Sequence, residues 1–302
     1  MNNDITIALP VYKRTDYIKS ALDSAVNQTI KCAILIVDNN SPHDEFEKLA
    51  RSYDKVEIKY VRNEKTVDVE DNFNLCFRHA ETPWVTILHD DDMLHHQYAE
   101  FCRDLINRFG ENLGGIMFKT HVGEEEWSEV GTMKQLTRQV RKLKPSYFHY
   151  ANTPFPGVLV KRAAAVKTGG FNKDFHPFPD IDFWYRYSRE NNFYLAEQEM
   201  SYFRISSTQI SSLFAESLIN GTYNYRLKEI VQSKHNNFLS RLGLEFARLN
   251  NIEYYMETYT DFELPEQLPN ESDLNRARSL LKYRLLRGIV RKYVNYLSYS
   301  KA

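Results

Sequence analysis

The most constraining feature of this sequence is a regular alternation of apolar segments and helix-like segments in its first third. Residues 33–37 (AILIV) and 84–88 (WVTIL) are nearly continuous apolar runs. Such runs are typical of parallel strands that are covered on both faces. Further strands are predicted at residues 5–9 and 56–61, which gives the order βαβαβαβ. This order predicts an α/β fold with a mostly parallel sheet flanked by helices.

Helices are predicted between these strands at residues 16–28, 44–53 and 71–80. Thr15 is a suitable N-cap for the first of them, because its hydroxyl can accept a hydrogen bond from a free backbone N–H group. Downstream, the polar residues 120–150 predict a loop-rich excursion. A strand is expected at residues 155–160. Residues 178–184 are expected to enter a helix that runs to about residue 190. From about residue 215 the pattern is helical to the end.

Three polar segments come directly after predicted strands: residues 10–14 (PVYKR), 38–41 (DNNS) and 89–92 (HDDD). Ligands of open parallel sheets bind outside the carboxyl ends of the strands. We therefore expect the three segments to meet at one crevice. Asp38 and Asn39 can be interpreted either as turn formers or as ligand-binding residues.

The run Asp90, Asp91 and Asp92 places three carboxylates side by side. Their mutual repulsion is costly unless a cation or several hydrogen-bond donors compensate for it. Hard oxygen ligands suit Mg²⁺ or Mn²⁺, which leave coordination positions for the phosphates of a substrate. The alternative is that they cap a helix that begins near His95, although one carboxylate would be enough for that purpose.

Two further acidic residues, Asp180 and Asp182, lie at the start of a predicted helix. Acidic side chains are favourable at a helix N-terminus, so one interpretation is purely structural. The other is that one carboxylate faces the crevice and takes a proton from an acceptor hydroxyl. The pattern of these two residues alone does not decide between the interpretations.

Composition and missing motifs argue against several classes of protein. The net charge of −1 gives no reason to expect nucleic acid, and the three cysteines form no zinc-binding pattern. No GxGxxG, GxxxxGK[ST] or GxSxG motif is present, which argues against dinucleotide, P-loop and α/β-hydrolase sites. A signal-peptide pattern and an apolar run of ~20 residues are also missing. We therefore expect a cytoplasmic protein, or one bound to the inner face of the plasma membrane.

The last residues, 276–302, combine basic and apolar side chains at helical spacing. A basic amphipathic helix of this kind suits an anionic membrane surface. A terminal helix that packs on the rest of the protein would have the same pattern. The apolar positions at issue are Leu281, Leu285, Leu286, Ile289, Tyr293 and Leu297.

Taken in order, several segments resemble motifs of the inverting family 2 glycosyltransferases, which have the GT-A fold. Residues 9–14 (LPVYKR) are similar to the opening strand and its P-x-[YF]-[NK] turn, and residues 37–41 (VDNNS) to V-D-[DN]-[GN]-S. Residues 84–92 (WVTILHDDD) are similar to the strand and DxD signature. Residues 169–172 (GGFN) and 180–186 (DIDFWYR) are similar to G-G-F-x-E and D-x-D-[LFW]-x-x-R. The resemblance covers about residues 4–212.

The resemblance implies a GT-A catalytic domain over residues 1–212 and a helical region over 213–302 that is a candidate for membrane or partner association. It implies that Asp180 is the catalytic base, and that Asp182 and Trp184 contact the acceptor or support the helix start. It implies Mn²⁺ or Mg²⁺ at the acidic cluster formed by Asp90, Asp91 and Asp92. The implied nucleotide-binding residues are Pro10, Val11, Tyr12, Arg14, Asp38, Asn39 and Asp90.

Four positions depart from the family pattern, one of them Ser206, which stands where the R-x-H-x-x-[QS] segment often has His. The first Asp of the usual D-x-D-D falls on His89, which makes Asp91 the first-choice metal ligand and leaves Asp90 to bind metal or ribose. The Glu that precedes the base is replaced by Pro179. The second acidic residue of V-D-D is replaced by Asn39, whose side-chain oxygen can accept a hydrogen bond from a pyrimidine N3–H.

The implied reaction is transfer of a sugar, with inversion, from a UDP- or dTDP-sugar to a hydroxyl group. The implied acceptor is a glycan or lipid-linked glycan in surface polysaccharide synthesis. Two other classes stay open. A nucleotidyltransferase on a similar sheet would need a glycine-rich basic turn after the first strand, which is missing. A catalytically inactive, nucleotide-sugar-binding scaffold would fit His89 and Pro179, whereas Asp91 and Asp180 argue against it.

Overall fold

The computed structural model describes residues 4–123, 140–151, 155–205, 215–258 and 284–300. Within these ranges, nine strands form one sheet. They are β1 (Ile5–Val11), β2 (Ala33–Asp38), β3 (Ile58–Arg62), β4 (Trp84–Ile87), β5 (Met93–Leu94), β6 (Gly115–Gly123), β7 (Val140–Leu143), β8 (Leu159–Lys161) and β9 (Phe193–Arg204). Their order is β3-β2-β1-β4-β8-β6-β9-β5, and β7 pairs with the first part of β9.

Nine α-helices in the described ranges flank this sheet or follow it. They are α1 (Ile18–Val26), α2 (Glu45–Arg51), α3 (Val69–His79), α4 (Tyr98–Phe109), α5 (Arg162–Lys167), α6 (Pro179–Glu190), α7 (Ala215–Gln232), α8 (Phe238–Thr258) and α9 (Arg284–Ser298). Short 3₁₀ turns occur at Gly110–Asn112, Pro145–His149 and Lys173–Phe175.

The first four strands form the parallel half of the sheet. β1 lies between β2 and β4, and β3 lies outside β2, all in parallel. β8 then runs antiparallel to both β4 and β6, whereas β6 and β9 are parallel. The predicted mixed α/β fold with a largely parallel sheet is therefore confirmed. Its carboxyl-end edge is where the polar segments after β1, β2 and β4 lie.

Two apolar layers cover the two faces of the sheet. Ile7 and Leu9 of β1 pack in one layer with buried residues of α1, α2 and α4. Ala8 of β1 and Val37 of β2 pack in the other layer with α3 and α6. Alternate residues of a strand point to opposite faces, so both faces need apolar side chains. This explains why the strand sequences read as nearly continuous apolar runs.

Some boundaries differ from those predicted. α1 begins at Ile18 after Tyr17, and Thr15 makes no capping hydrogen bond, so the predicted cap was wrong. The strand expected at residues 155–160 begins only at Leu159, because Gly157 has a positive φ of 79° and turns the chain. Part of the predicted loop region forms β7, a strand whose partner β9 is distant in sequence.

The C-terminal helices pack on the sheet domain. α8 contacts both α7 and α9, and α9 contacts the turn at Pro145–His149. The backbone N–H of Lys144 donates to the carbonyl of Ser298 at 2.8 Å. The predicted boundary at residue 212 lies outside the described residues. None of the described helices is both long enough and apolar enough to cross a bilayer.

The turn that leads from α5 toward α6 depends on Gly170, which has a φ of +66°. A Cβ atom at this position would lie 1.9 Å from Oδ1 of Asn74. That oxygen accepts a hydrogen bond from the Phe171 N–H at 2.8 Å, and Asn74 Nδ2 donates to the Phe171 carbonyl at 2.8 Å. The turn therefore locks α3 to the segment that carries α6.

We expect Gly170→Ala to destabilise the protein by about 2–4 kcal/mol, because it adds backbone strain and displaces both Asn74 hydrogen bonds. Gly169→Ala is the matched control. Gly169 also has a positive φ, of 90°, but nothing lies within 4 Å of its added Cβ, so only strain of about 1–2 kcal/mol is expected. Urea unfolding measures the free energy of unfolding of both variants. Equal destabilisation of the two would contradict the role given to Asn74.

Candidate active site

The three polar segments converge at the carboxyl ends of the parallel strands. After β1, the backbone N–H of Lys13 donates to Ser41 Oγ at 3.1 Å, in the segment after β2. The next residue, Arg14, reaches the segment after β4 and bonds Asp90 and Asp91. The three segments therefore meet as predicted, and residues 10–14 link the segment after β2 to the segment after β4.

The segment after β2 is held by its own side chains. Oδ1 of Asp38 accepts hydrogen bonds from Ser41 N and Oγ at 2.9 and 2.6 Å, and Oδ2 accepts one from Tyr60 at 2.6 Å. Asp38 is fully buried. The carboxylate therefore shapes the turn, and it is engaged on both of its oxygens.

Asn39 fixes the loop that covers this side of the crevice. Its Oδ1 accepts hydrogen bonds from Val67 N at 2.9 Å and from Asn63 Nδ2 at 3.2 Å, while its Nδ2 donates to the Val67 carbonyl at 2.9 Å. An amide oxygen has two lone pairs, and both are used here. The bond to a pyrimidine N3–H that was expected of this oxygen is therefore not available in this arrangement.

The segment after β1 offers an exposed ring. Pro10 and Val11 are buried at the end of the strand, whereas Tyr12 is 37% exposed. The ammonium group of Lys13 lies 4.6 Å from the centre of the Tyr12 ring. Lys13 itself has a φ of +60°, which turns the chain back toward the crevice. The result is an aromatic face beside a cation at the mouth of the site.

The acidic cluster is compensated by groups of the protein. Arg14 Nη2 lies 2.5 Å from Asp90 Oδ1 and 2.7 Å from Asp91 Oδ2. The backbone N–H of Arg204 donates to Asp92 Oδ1 at 3.1 Å, and His89 Nδ1 lies 3.3 Å from Asp92 Oδ2. Hydrogen-bond donors were one of the two expected ways to offset the repulsion among the three carboxylates. Groups of the protein therefore supply part of the compensation that the three carboxylates need.

Burial dominates the electrostatics of the cluster. It raises the pKa of Asp90 and raises that of Asp92 to about 6, against the opposing effects of Arg14 and His89. For His89, burial alone would lower the pKa, but Asp92 reverses this and the pKa is raised. Closely placed carboxylates in a dry site hold their negative charge at a cost. A bound cation would relieve that cost.

Three residues of this cluster could hold a metal ion. His89, Asp91 and Asp92 each offer a ligand atom, and these atoms all lie within 4.8 Å of one another. The Nε2 atom of His89 is buried and has no hydrogen-bond partner among the described residues. A mixed set of one imidazole and two carboxylates suits Mn²⁺ and other first-row metals. The residues therefore fit a divalent cation.

Asp90 lies outside this ligand set, and His89 was not among the expected ligands. The signal that could have found His89 was its place at the first Asp of the D-x-D-D pattern. Its ring is held between Phe155 and Phe73, with ring centres 4.4 and 5.3 Å away. The same aromatic group continues to Trp184, which is buried and whose ring centre lies 5.8 Å from that of Phe155. Trp184 thus anchors α6 in the core.

The two carboxylates at the start of α6 have different environments. Asp182 is buried, lies 2.6 Å from Arg186 Nη2, and accepts a hydrogen bond from the Tyr225 hydroxyl at 3.2 Å. Arg186 also donates to the Thr168 and Gly170 carbonyls at 2.7 and 2.6 Å. Asp182 therefore holds α6 in place.

Asp180 has no cation within 4.0 Å among the described residues. Burial raises its pKa to about 6, while the backbone N–H groups of Ile181 and Asp180 and the charges of His89 and Arg226 act in the opposite direction. The ring contacts from Trp184 of α6 through Phe155 to His89 connect the start of α6 to the acidic cluster, and the charge of His89 acts on the Asp180 carboxyl group. A carboxylate whose pKa is close to neutral is suited to accept a proton.

Comparison with known proteins agrees with this geometry. The family model for glycosyl transferase family 2 matches residues 6–165, which is more than half of the chain. An uncharacterized glycosyltransferase of Rickettsia prowazekii is 23% identical over 265 residues, covering 83% of this chain and 82% of the relative.

Solved structures show the same fold at low identity. TarS residues 1–349 from S. aureus, in complex with UDP-GlcNAc, match with a TM-score of 0.62 and 14% identity, over 97% of this chain and 83% of that one. A mannosyltransferase from Pyrobaculum calidifontis, in complex with GDP-Man and Mn²⁺, matches with a TM-score of 0.57 and 14% identity, over 97% and 84%. With its GT-A fold and the family match over residues 6–165, this chain belongs to glycosyl transferase family 2.

Proposed function

We propose that this chain is an inverting glycosyltransferase that transfers a sugar from UDP or dTDP to a hydroxyl group of a surface glycan or lipid-linked glycan, with Asp180 as the general base. The observation that carries the proposal is the contrast at the start of α6. Asp182 is used in ion pairing, whereas Asp180 has a raised pKa near the acidic cluster and has no described cation within 4.0 Å. We take residues 1–212 as the catalytic unit.

In this reaction the acceptor hydroxyl attacks the anomeric carbon of the donor from the face opposite the nucleotide. A new C–O bond forms, the bond from the anomeric carbon to the diphosphate oxygen breaks, and the hydroxyl proton passes to Asp180. The diphosphate leaves with increased negative charge. Arg14, already at the acidic cluster, is the protein cation placed to lie near that charge.

His89, Asp91 and Asp92 are the residues that would hold a divalent cation, with Mn²⁺ favoured over Mg²⁺ by the imidazole. When bound, such an ion would offset the charge of the departing diphosphate. Asp90 is left to hold Arg14, or to bind ribose. The solved structures of the fold that contain UDP-GlcNAc or GDP-Man and Mn²⁺ support a nucleotide-sugar donor here.

The nucleotide would lie against the segment after β1. The exposed ring of Tyr12 offers a face for the base, and Pro10 and Val11 form the floor beneath it. Asp38 and Asn39 contribute by holding their turn and the 63–67 loop in position. Because the oxygens of both side chains are engaged, contact with the base would come from the backbone or the amide nitrogen.

The decisive experiment is a panel of UDP-, dTDP- and GDP-sugars added to the full-length protein with Mn²⁺, read by thermal shift and by release of nucleoside diphosphate. We expect a UDP- or dTDP-sugar to raise the melting temperature and to be hydrolysed slowly in the absence of an acceptor. Binding without release would favour the scaffold. Release of pyrophosphate from a nucleoside triphosphate and a sugar phosphate would favour the nucleotidyltransferase.

A peripheral membrane contact through residues 276–302 is a further part of the proposal. Leu297 of the predicted apolar stripe is buried, and so is the neighbouring Val290, which means that part of the apolar surface of α9 packs within the protein. Leu281, Leu285 and Leu286 lie outside the residues whose side chains are described. The outward face of α9 still carries two cations and two large apolar side chains: Arg291, Lys292, Ile289 and Tyr296.

We expect the full-length protein to sediment with vesicles that contain anionic phospholipid at low salt, and to be released at high salt. The double variant Arg291→Gln/Lys292→Gln should bind roughly 10–30-fold more weakly, at about 1 kcal/mol for each cation. These point changes are a sharper test than a chain ending near residue 270, because α9 bonds Lys144 and its loss would disturb the sheet domain. Failure to sediment with anionic vesicles even at low salt would rule out this contact.

A further inference from the structure

Arg226, on α7, is a fully buried arginine in the C-terminal helical region, with 1% of its surface exposed. Its Nη2 donates to the carbonyl of Ala151 at 2.6 Å. Its Nε is buried without a hydrogen-bond partner, and no carboxylate lies within 4.0 Å, both among the described residues. A buried guanidinium without a close counter-ion is expensive, so its position requires an explanation.

The surroundings of Arg226 lead to the start of α6. A Cβ atom on Gly221 would lie 2.2 Å from the Phe178 ring, so α7 packs very closely against this end of α6. One turn later, the ring centre of Tyr225 lies 5.2 Å from that of Phe175, and the Tyr225 hydroxyl donates to Asp182. Arg226 is the next residue in the chain, so it belongs to the part of α7 that packs against the start of α6.

Among the groups that affect the pKa of Arg226, Asp180 is the carboxyl group. Burial lowers the pKa of Arg226 to about 10, and Asp180 and Tyr147 raise it in opposition. Burial, Arg226 and His235 lower the pKa of His149 to about 4, so that histidine is neutral near pH 7. The charges of His89 and Arg226 lower the pKa of Asp180, against the effect of burial. With a pKa lowered only to about 10, Arg226 remains charged near pH 7, and Asp180 is the carboxyl group that raises this pKa against the effect of burial.

We propose that Arg226 is a positioning residue for the reaction, a buried counter-charge supplied by the C-terminal helices that keeps the Asp180 carboxylate ionised at the start of α6. The proposal rests on the function proposed for Asp180. It extends the catalytic unit beyond residues 1–212, because the residue that balances the base belongs to α7. The sheet domain alone would then hold a base that is more easily protonated and less effective.

A double-mutant cycle on stability tests this pairing without any substrate. Arg226→Gln keeps a donor for the Ala151 carbonyl and removes the charge, whereas Arg226→Lys keeps the charge. At pH 8 we expect Arg226→Gln to lower the melting temperature of the full-length protein by roughly 3 °C or more in the parent. In the Asp180→Asn background the same change should lower it much less, and Arg226→Lys should cost less than Arg226→Gln in the parent.

The coupling between the two sites should disappear at pH 5, where Asp180 is protonated in the folded protein. Arg248→Met is the control, because Arg248 contacts Asn220 and the Tyr223 ring instead, and it should show no coupling to Asp180→Asn at either pH. Additive effects of Arg226→Gln and Asp180→Asn at pH 8, or coupling that persists unchanged at pH 5, would overturn the proposal. If Asp180→Asn keeps normal turnover, the proposed function fails, and the cycle still reports whether the two charges interact.

Discussion

Replacing Asp180 with Asn should lower the rate of sugar transfer by about 10²–10⁴-fold and leave nucleotide affinity close to that of the parent. The amide has nearly the same shape as the carboxylate but cannot accept the proton of the acceptor hydroxyl. The nucleotide is expected on the side of Tyr12 and Arg14, so its binding should not depend on Asp180. Steady-state kinetics and calorimetric binding of the nucleoside diphosphate measure the two quantities separately.

The pH dependence of the parent follows from the direction of the Asp180 shift. Burial raises its pKa to about 6, and the base works only when it is deprotonated. The value of kcat/KM should therefore fall as the pH drops through about 6 and level off above it. The residual activity of Asp180→Asn should lack this step. If the step persists in the variant, it belongs to another group, and Asp92 is the candidate because its pKa is also raised to about 6.

The same shift has a consequence for stability. The folded-state pKa of Asp180 lies above the ordinary value of 3.8, so ionisation of this group opposes folding, and the cost grows as the pH rises from about 4 to about 6. Asp180→Asn removes that cost. Above pH 7 the variant should be more stable than the parent, by about 1–3 kcal/mol. An inactive protein that melts at a higher temperature is the expected result.

Asp182→Asn is the matched control, two residues away on the same helix turn. It removes the charge that pairs with Arg186, a side chain that also holds the Gly170 turn, so it should destabilise the protein by about 3–5 kcal/mol. Loss of turnover in Asp182→Asn, together with normal turnover in Asp180→Asn, would reverse the roles of the two residues.

The parallel half of the fold could be predicted because each of its strands and helices has a recognisable pattern in its own stretch of sequence. Strands buried on both faces must be apolar along their whole length, as in residues 33–37, and the polar segments that follow them mark the carboxyl-end edge. The pairing of β7 with β9 could not be predicted in this way. Its strands are far apart in sequence, and residues 140–143 (VRKL) gain their structure from the partner strand.

In the candidate site, too, some features could be predicted from the local sequence and others depend on residues that are distant in the chain. The acidic run and the carboxylates of α6 are visible in the sequence as residue types at strand and helix ends. The partners of two arginines of the site, in contrast, become visible only in the three-dimensional structure. Arg14 bonds Asp90 and Asp91 across 76 and 77 positions of the chain, and Arg226, the proposed counter-charge of Asp180, belongs to a helix whose own sequence carries no motif. Long-range charge pairing leaves no periodic pattern from which to infer it.

Replacing Asp91 with Asn should weaken Mn²⁺ binding by at least about 100-fold, since even the loss of groups that only support a metal ligand costs 10–100-fold. Asp91 shares its candidate site with His89 and Asp92, and an amide oxygen is a much weaker ligand than a carboxylate. The fold should remain intact, because Arg14 keeps its partner Asp90 and Asp92 keeps the Arg204 N–H. Electron paramagnetic resonance of Mn²⁺, with and without UDP, measures the affinity directly.

Asp90→Asn separates metal binding from charge compensation within the same cluster. Asp90 lies outside the candidate ligand set but pairs with Arg14 at 2.5 Å. Its replacement should therefore leave Mn²⁺ affinity within about 10-fold of the parent, since it alters the neighbours of the ligands and not the ligands themselves. Near-normal Mn²⁺ affinity in Asp91→Asn, with a large loss in Asp90→Asn, would move the metal to the other side of the cluster. In that arrangement Arg14 would have to leave Asp90 before the ion could bind, and Mn²⁺ affinity would then rise when Arg14 is replaced by Gln.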